Sequence, residues 1–334
     1  MPMLTPTDVH IDVALTNLVV AYFQTNSNFV ADKIFPTIPV QKQTGKYWVV
    51  PTGNFNRVGE SKVLAPRTRP ERVGMSLSQD SYFVEPRALA ADLDFQTLAN
   101  ADDQLNLRAL KIRQVTELQM IDRENAWVDA YFKPGVWATD LQGVATGPTA
   151  NQFVKWSNYT SSNPITDIVE AKRKARLASG GRTMDVAVMT EDVFFKLINH
   201  PEILKRITGG ATVSNPALVQ TNLLAQVLGL RAVYVLDTIG NFAKEGLPDD
   251  QRYLATNKFA LFHTPVQAGM QVPAAGYTFT WSSLENSSGL GVDIASYTGD
   301  FLRIEGIAEE MHSIMAYDFK VIGNQMGIFF NEPL

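Results

Sequence analysis

The sequence predicts an α+β chain in which an extended arm and a long β-ribbon precede one long helix and a compact α/β unit. Three stretches carry that prediction. The first, Phe29 to Pro51 (FVADKIFPTIPVQKQTGKYWVVP), is apolar and punctuated by proline. Pro36 and Pro39 fix their own φ and push their predecessors into extended conformations, so a helix through Phe29–Val40 is not expected. The second, Ala101 to Phe132, keeps a helical period without a break. The third pairs two apolar runs, MDVAVMT (Met184–Thr190) and LRAVYVL (Leu230–Leu236), as buried strands with helical segments between them.

Taken in order, residues 1–40 form the arm: a polar start, an amphipathic helix over Ile11–Gln24 that has little of its own to pack on, and an extended segment laid across something apolar. GKYWVVP (45–51) and VGMSLSQDSYFVE (73–85) read as strands bracketing Thr52–Arg72, which holds Arg57, Lys62, Arg67, Arg69 and Arg72 against only Glu60 and Glu71. An isolated two-stranded ribbon is marginal in water, and a long loop without structure of its own is uncommon inside a compact domain. The stretch is either a surface loop that happens to be charged or a ribbon docked on a neighbouring subunit; docking resolves both difficulties, with Phe29, Phe35, Trp48 and the five cations as candidate contacts.

The long helix would span on the order of 45 Å at about 1.5 Å per residue. Steps of 100° place Leu107, Leu110, Leu118, Ile121, Val128 and Phe132 on one stripe and Leu105, Ala109, Ile112, Met120 and Trp127 on the opposite one. Arg108, Lys111 and Asp122 fill one gap, and Arg113, Glu117 and Glu124 the other. Such a helix is either sandwiched between its own sheet and another subunit or buried within one domain.

Gly135, Gly143, Gly147 and Pro148 then mark a loop region anchored by Trp137 and Trp156. Pro164–Ala178 is a helix stopped by Gly180 and Gly181, Glu191–Ile207 a second, and Asn215–Leu228 a third. Beyond Arg252 the pattern is β-rich, with strands at Tyr253–Leu254, Phe259–Phe262, Tyr277–Trp281 and Val292–Tyr297, closing with Leu302–Ala316 and Phe319–Phe330. The apolar KVIGNQMGIFFNE is expected to return to strands near the long helix.

Composition excludes several classes. The 334 residues are 45% hydrophobic and 19% charged, ordinary for a folded chain, and a formal charge of −5 gives no basic bias for gripping phosphates. Zero cysteines remove disulfides, thiol nucleophiles and thiolate metal sites, consistent with assembly in a reducing cytosol. Ile11–Phe23 carries Asp12, Thr16 and Asn17 with no basic segment ahead of it, so neither a signal peptide nor a membrane span is expected. The NYT and NSS sequons at Asn158 and Asn286 are chance matches without secretion.

Chemistry is sparse. His10, His200, His263 and His312 show no metal-ligand spacing, no GxSxG elbow exists, Gly289-Leu290-Gly291 lacks the third glycine of a dinucleotide loop, and Lys46 lacks a P-loop context. Asp102/Asp103 suit a helix start, while Asp249/Asp250 follow Pro248 in a turn. Glu309/Glu310 lie in a strand, where adjacent residues face opposite sides. The chain is therefore not expected to be an enzyme, and no cofactor or metal is expected.

The Phe29–Pro51 stretch, the long helix, PITDIVEAKRKARLASGGRTMDVAVMTEDVFFKLINHPEILKRI and KVIGNQMGIFFNE, in that order, resemble a tailed-bacteriophage major capsid protein of the Hong Kong 97-type fold, of the lambda-like major head protein kind. The similarity covers most of the chain, and its specificity lies in the combination. It implies an N-terminal arm (1–40), an extended loop over the neighbouring subunit (41–88), a peripheral domain with the spine helix (89–160, completed by 306–334) and an axial domain (161–305) meeting its copies at five-fold and quasi-six-fold axes. It implies self-assembly into pentamers and hexamers of an icosahedral virion shell in the bacterial cytoplasm, enclosing double-stranded DNA without sequence-specific binding or a membrane. The chain begins close to the arm, so a separate scaffolding protein is expected, with a portal and, as a further candidate, a decoration or cementing protein. A Lys–Asn cross-link is not expected, because nothing selects a partner for Lys62. The basic loop would meet acidic surface on a neighbour, with Asp92, Asp94, Asp102 and Asp103 as candidates. Two alternatives are a nanocompartment shell of the encapsulin type, told apart by its contents, and an α/β enzyme, which lacks a catalytic constellation.

Overall fold

The computed structural model describes residues 29–49, 51–54, 56–64, 66–100, 107–208, 221–244, 246–265, 272–282, 294–299 and 308–334. The helix expected over Ile11–Gln24, and Asp102, Asp103 and Leu105 at the expected start of the long helix, lie outside these residues.

Two sheets flank the long helix. The chain opens with α1 (Ala31–Ile34), β1 (Thr37–Val40), β2 (Thr44–Val49), β3 (Ser78–Phe83), β4 (Glu85–Asp94), α2 (Phe95–Asn100) and the spine α3 (Leu107–Tyr131). β5 (Thr139–Val144), β6 (Gln152–Val154), α4 (Pro164–Ala178), β7 (Val186–Thr190), α5 (Glu191–Ile198), α6 (Pro201–Thr208), α7 (Thr221–Leu228) and β8 (Ala232–Leu236) follow. Then come β9 (Ile239–Asn241), β10 (Gln251–Tyr253), β11 (Lys258–Phe262), β12 (Gly276–Trp281), β13 (Ile294–Gly299), β14 (Ala308–Val321) and β15 (Gly327–Asn331).

The five-stranded sheet is built on β14. β4 pairs along one of its edges, and β13 and then β12 along the other, with β1 parallel to β12. The six-stranded sheet has the order β6-β5-β15-β11-β7-β8. All five residues of β7 are buried, as a strand covered on both faces requires. One covering layer comes from Ile168 and Ala175 of α4, Val193 and Leu197 of α5, and Leu224 and Leu228 of α7. Gly327 starts β15 beneath Trp137, where a Cβ would collide with the indole.

The C-terminal half of α3 joins the sheets. Tyr131 Oη donates to the carbonyls of Tyr277 (2.9 Å) and Lys320 (3.1 Å) in the five-stranded sheet. Phe132 packs edge-on to Phe329 of the six-stranded sheet, centroids 5.6 Å apart. Trp127, Tyr131, Trp137 and Phe262 surround Phe35, whose ring lies 4.6 Å from Tyr131 and 5.2 Å from Phe262.

Several expectations are corrected. Phe29–Val40 is not extended throughout: Ala31–Ile34 makes one helical turn, which ends before Phe35 (φ −105°, ψ 136°) because Pro36 holds its predecessor extended. The helix expected over Glu191–Ile207 is two helices, broken at Pro201, which cannot donate the backbone hydrogen bond a continuous helix needs there. His200 Nδ1 instead accepts from the Glu202 amide and caps the second helix. β5 and β6 occupy what reads as a glycine loop. The closing runs divide at Ile322–Met326, and β4 had no counterpart in the sequence reading; it carries Pro86 because it pairs on one side only.

The spine stripes are also unequal. Ile112, Met120 and Trp127 are buried, as are Val128 and Phe132, but Leu110 and Leu118 are exposed. Glu124, placed by its spacing in a solvated gap, is fully buried together with Arg123.

Candidate assembly interface

The described residues between β2 and β3 form the loop of the ribbon, which meets the rest of the molecule at Asn56, set against Gly180 beyond the end of α4. The base of the ribbon is anchored: Tyr47 and Tyr82 pack on Phe279 at 5.5 and 4.8 Å, and the Phe83 amide donates to Asp318 (2.9 Å). Burial, followed by its hydrogen bond to Asp80, pushes the Tyr47 phenol well above its usual range. Alternation along β2 turns Trp48 outward, where it is exposed.

Beyond the base the loop has no core. Val58 is 99% and Val63 100% exposed, and Leu64, Val73 and Met75 are exposed too. Its contacts are mostly local: Asn54 and Ser76 bond each other, Arg57 pairs with Glu60 at 3.3 Å, and Lys62 with Glu71 at 2.7 Å. Those pairs use both acids of the stretch. Arg67, Arg69 and Arg72 are exposed, and none has an ion pair among the described residues. Arg67 also adopts φ +66°, a left-handed conformation that bulky side chains rarely take. The candidate cations thus divide into two satisfied locally and three available to a partner.

Phe29 and Phe35 are corrected as contact residues. Phe29 packs with Leu93, Ile112, Met120, Met315 and Tyr317, and Phe35 lies in the aromatic cluster, so both complete the chain's own core. The device holding them was not legible: Glu124 accepts the amides of Val30 (3.0 Å) and Ala31 (2.8 Å), and Arg123 pairs with Asp32. Burial pushes the Glu124 carboxyl up to about 7, against the lowering effect of those two N–H groups. Charges at adjacent helix positions are the only sequence signal, and they do not name Asp32 or the Val30 amide as partners.

Among the spine residues, Ile112, Met120 and Trp127 face inward, leaving Leu110 and Leu118 as the free apolar stripe. Along the second half of α3 runs a groove of about 510 Å³ between α3 and β4, lined by Arg87, Leu89, Asp122, Asp129, Met315 and Tyr317 among others. Of the expected acidic counterparts, Asp92 is exposed on β4 and Asp94 half-buried.

One constellation resembles enzyme chemistry. Ser162 Oγ lies 3.0 Å from His200 Nε2, but Nδ1 accepts from the Glu202 amide, so in the neutral ring the proton is on Nε2. The imidazole donates to the serine and cannot take its proton. Ser162 in turn donates to the Asn158 carbonyl (2.6 Å), and the pair is a structural bridge between a loop and a helix cap. Among the described residues no group of three or more His, Cys, Asp or Glu side chains could hold a metal ion, and no helix is long and apolar enough to cross a membrane.

No family model matches the chain. It is 28% identical over 236 residues to the major capsid protein of Pseudomonas phage JBD67, covering 71% of each chain. It is 22% identical over 278 residues to the major capsid protein of Burkholderia phage BcepMu, covering 80% of this chain and 82% of that one. The chain is thus a homologue of phage major capsid proteins over most of its length. The chain has the Hong Kong 97-type fold. A phage-related protein from Bordetella bronchiseptica RB50 shares the fold at TM-score 0.67 and 16% identity over 97% of this chain and 98% of that one. The mature capsid of bacteriophage PhiM1 does so at 0.54 and 10% over 92% and 87%. The SrpI encapsulin of Synechococcus elongatus PCC 7942 does so at 0.50 and 10% over 94% of each chain.

Proposed function

We propose that copies of this capsid protein form pentamers and hexamers that close into the icosahedral head of a tailed phage around double-stranded DNA, with residues 41–88 lying across a neighbouring subunit. The observation that carries this reading is the loop: Val58, Val63, Leu64, Val73 and Met75 are exposed on a ribbon too slender to bury them. Covering them with a second copy removes apolar area from water, at about 25 cal/mol per Å². Arg67, Arg69 and Arg72 then face acidic surface such as Asp92. Each exposed pair contributes only about 0–1 kcal/mol, and a closed shell repeats the contact throughout.

Assembly belongs in the bacterial cytoplasm, with a separate scaffolding protein, a portal and a decoration or cementing protein as partners, and with cohesion that is non-covalent. Ladders of linked subunits in denatured mature particles would contradict that last point. Electron microscopy of the purified full chain, alone and with its scaffold, tests the reading: shells or free pentamers and hexamers are expected, and a persistent monomer under both conditions would refute it. The likeness to an encapsulin supports one second reading, a protein-filled compartment. Its signature would be a cargo protein rather than DNA inside particles from the native host.

A further inference from the structure

The six-stranded sheet unit has two electrostatically different ends. β7 and β8 run parallel and in register, starting at Val186 and Ala232 and stopping at Thr190 and Leu236. The last turns of α4 lie at the starting end, where Lys172 Nζ donates to the carbonyls of Leu228 (3.2 Å) and Gly229 (2.8 Å) just ahead of β8. This end exposes Arg173, Lys174, Arg176 and Arg182, none of them in an ion pair among the described residues. Asp185 is occupied by Arg231 at 3.3 Å, and Glu170 stands on α4 itself, one turn ahead of Arg173 and Lys174. Cations in a last turn suit the helix macrodipole, but that does not account for the apolar groups among them, Val169 and Leu177, the latter 79% exposed.

At the stopping end, β9 and β10 form a hairpin directly after β8, whose loop exposes Phe242 and Leu247, with Ile239 beside them. Glu191, Asp192 and Asp237 lie close together there beside Tyr253 and Lys33, the hairpin adds Asp249 and Asp250 with Lys244 and Arg252, and Lys258 starts β11 at the same end. The hydrogen bond from Tyr253 to Glu191, backed by the charges of Asp237 and Asp192, holds the Tyr253 phenol above its usual range. Asn241 holds Asp249 at 2.9 Å and Arg252 pairs with Asp250 at 2.6 Å, which fixes both carboxylates on the hairpin.

We propose that the β9–β10 hairpin of one copy docks on the C-terminal end of α4 of the next, with Phe242 and Leu247 against Leu177 and Val169, and Asp249 and Asp250 facing Arg173 and Arg176. The inference rests on the shell reading and specifies a contact within it. A second copy is the occupant because each surface is apolar at its centre, cations rim the α4 surface, and Asp249 and Asp250 stand on the hairpin with Phe242 and Leu247, its own cations being Lys244 and the Asp250-paired Arg252. The two surfaces also stand at opposite ends of one sheet, so the hairpin of one copy does not reach its own α4; Asn56 of the same chain lies beside Gly180 there and leaves Leu177 exposed. A head-to-tail contact of this kind closes into rings when the rotation permits. DNA would neutralise the arginines but leave Leu177 and the hairpin uncovered.

The test uses full-length chains under conditions where the wild type forms shells. Arg173→Glu/Arg176→Glu and Asp249→Lys/Asp250→Lys should each lower shell yield about tenfold or more, since like charges then face each other, and the four-fold variant should recover to within about twofold of wild type. Normal yield from Arg173→Glu/Arg176→Glu, or a four-fold variant no better than either pair, would overturn the contact. Normal shells from that first variant that no longer retain DNA would assign the surface to nucleic acid instead. Because the hairpin substitutions also remove the Asp250–Arg252 pair, a second measurement uses the absence of cysteine in the sequence. Shells carrying both Leu177→Cys and Phe242→Cys, treated with a bifunctional maleimide, should yield covalent rings that neither single substitution gives. Monomers alone from assembled double-variant shells would equally overturn the proposal, and a wild type that never forms shells would overturn the shell reading and this contact with it.

Discussion

The six-stranded sheet and the extended loop are opposite solutions to the same problem. In the sheet, Phe259, Phe262, Phe329 and Phe330 are buried to the last few square ångströms and tied by edge-on aromatic contacts. In the loop, Val58 and Val63 have nothing against them. A chain that builds so dense a core in one region and leaves valines bare in another is using apolar residues for two purposes, self-stability and association. The same division runs along α3, inward at Trp127 and outward at Leu110 and Leu118.

Changes in the dense region should give the largest effects on stability. Trp127→Ala is expected to cost about 3–5 kcal/mol, read as a lower urea midpoint of the unassembled subunit. Gly327→Ala, which drives a methyl group into Trp137, is expected to cost about 1–3 kcal/mol by the same measurement.

The Glu124 clamp lies between the two extremes. Its folded-state pKa of about 7 exceeds the ordinary 4.5, so between those values the folded state holds a proton that the unfolded state has released. Its contribution is therefore fully present below about pH 4.5 and is lost as pH rises through about 7. Glu124→Gln sets an NH2 group against one of the two amides and should cost about 1–3 kcal/mol at pH 5. Melting temperatures of both proteins from pH 5 to 8 should converge as the wild type loses this advantage, and a constant difference would contradict the shift.

Substitutions in the bare region should barely register in stability. Val58→Ser/Val63→Ser is expected to change unfolding free energy by no more than about 0.5 kcal/mol while abolishing shell formation. Reversing Arg67 and Arg69 to glutamate should impair assembly of a normally folded subunit. The same reversal at Arg57 and Lys62, which already have local partners, should disturb it less. Normal particle yield from the Arg67/Arg69 variant would remove charge from the loop's role.

Where residues announce their surroundings through pattern, the sequence was readable. Asn163-Pro164 opens α4, with Asn163 Oδ1 accepting the Thr166 amide at 3.2 Å, and Gly180 and Gly181 close it at φ +70° and +101°. The β2–β3 ribbon and the unbroken run of β7 were equally legible. Tertiary partnerships were not. Glu124 looks like a surface charge because the Val30 and Ala31 amides that receive it lie over ninety residues away. Phe35 looks like an arm residue because only the folded chain brings Tyr131 and Phe262 around it. β5 was hidden by Gly143, which is needed because the carbonyl of Glu332 passes too close for a side chain.

Hydrogen–deuterium exchange on the free subunit and on assembled shells compares the two regions most directly. Amides of residues 56–77 should exchange rapidly in the free subunit and become protected in shells, while β7, β11 and β15 stay protected in both states. A loop already protected in the free subunit, or one that still exchanges freely once shells have formed, would contradict its role as the element a neighbouring copy completes.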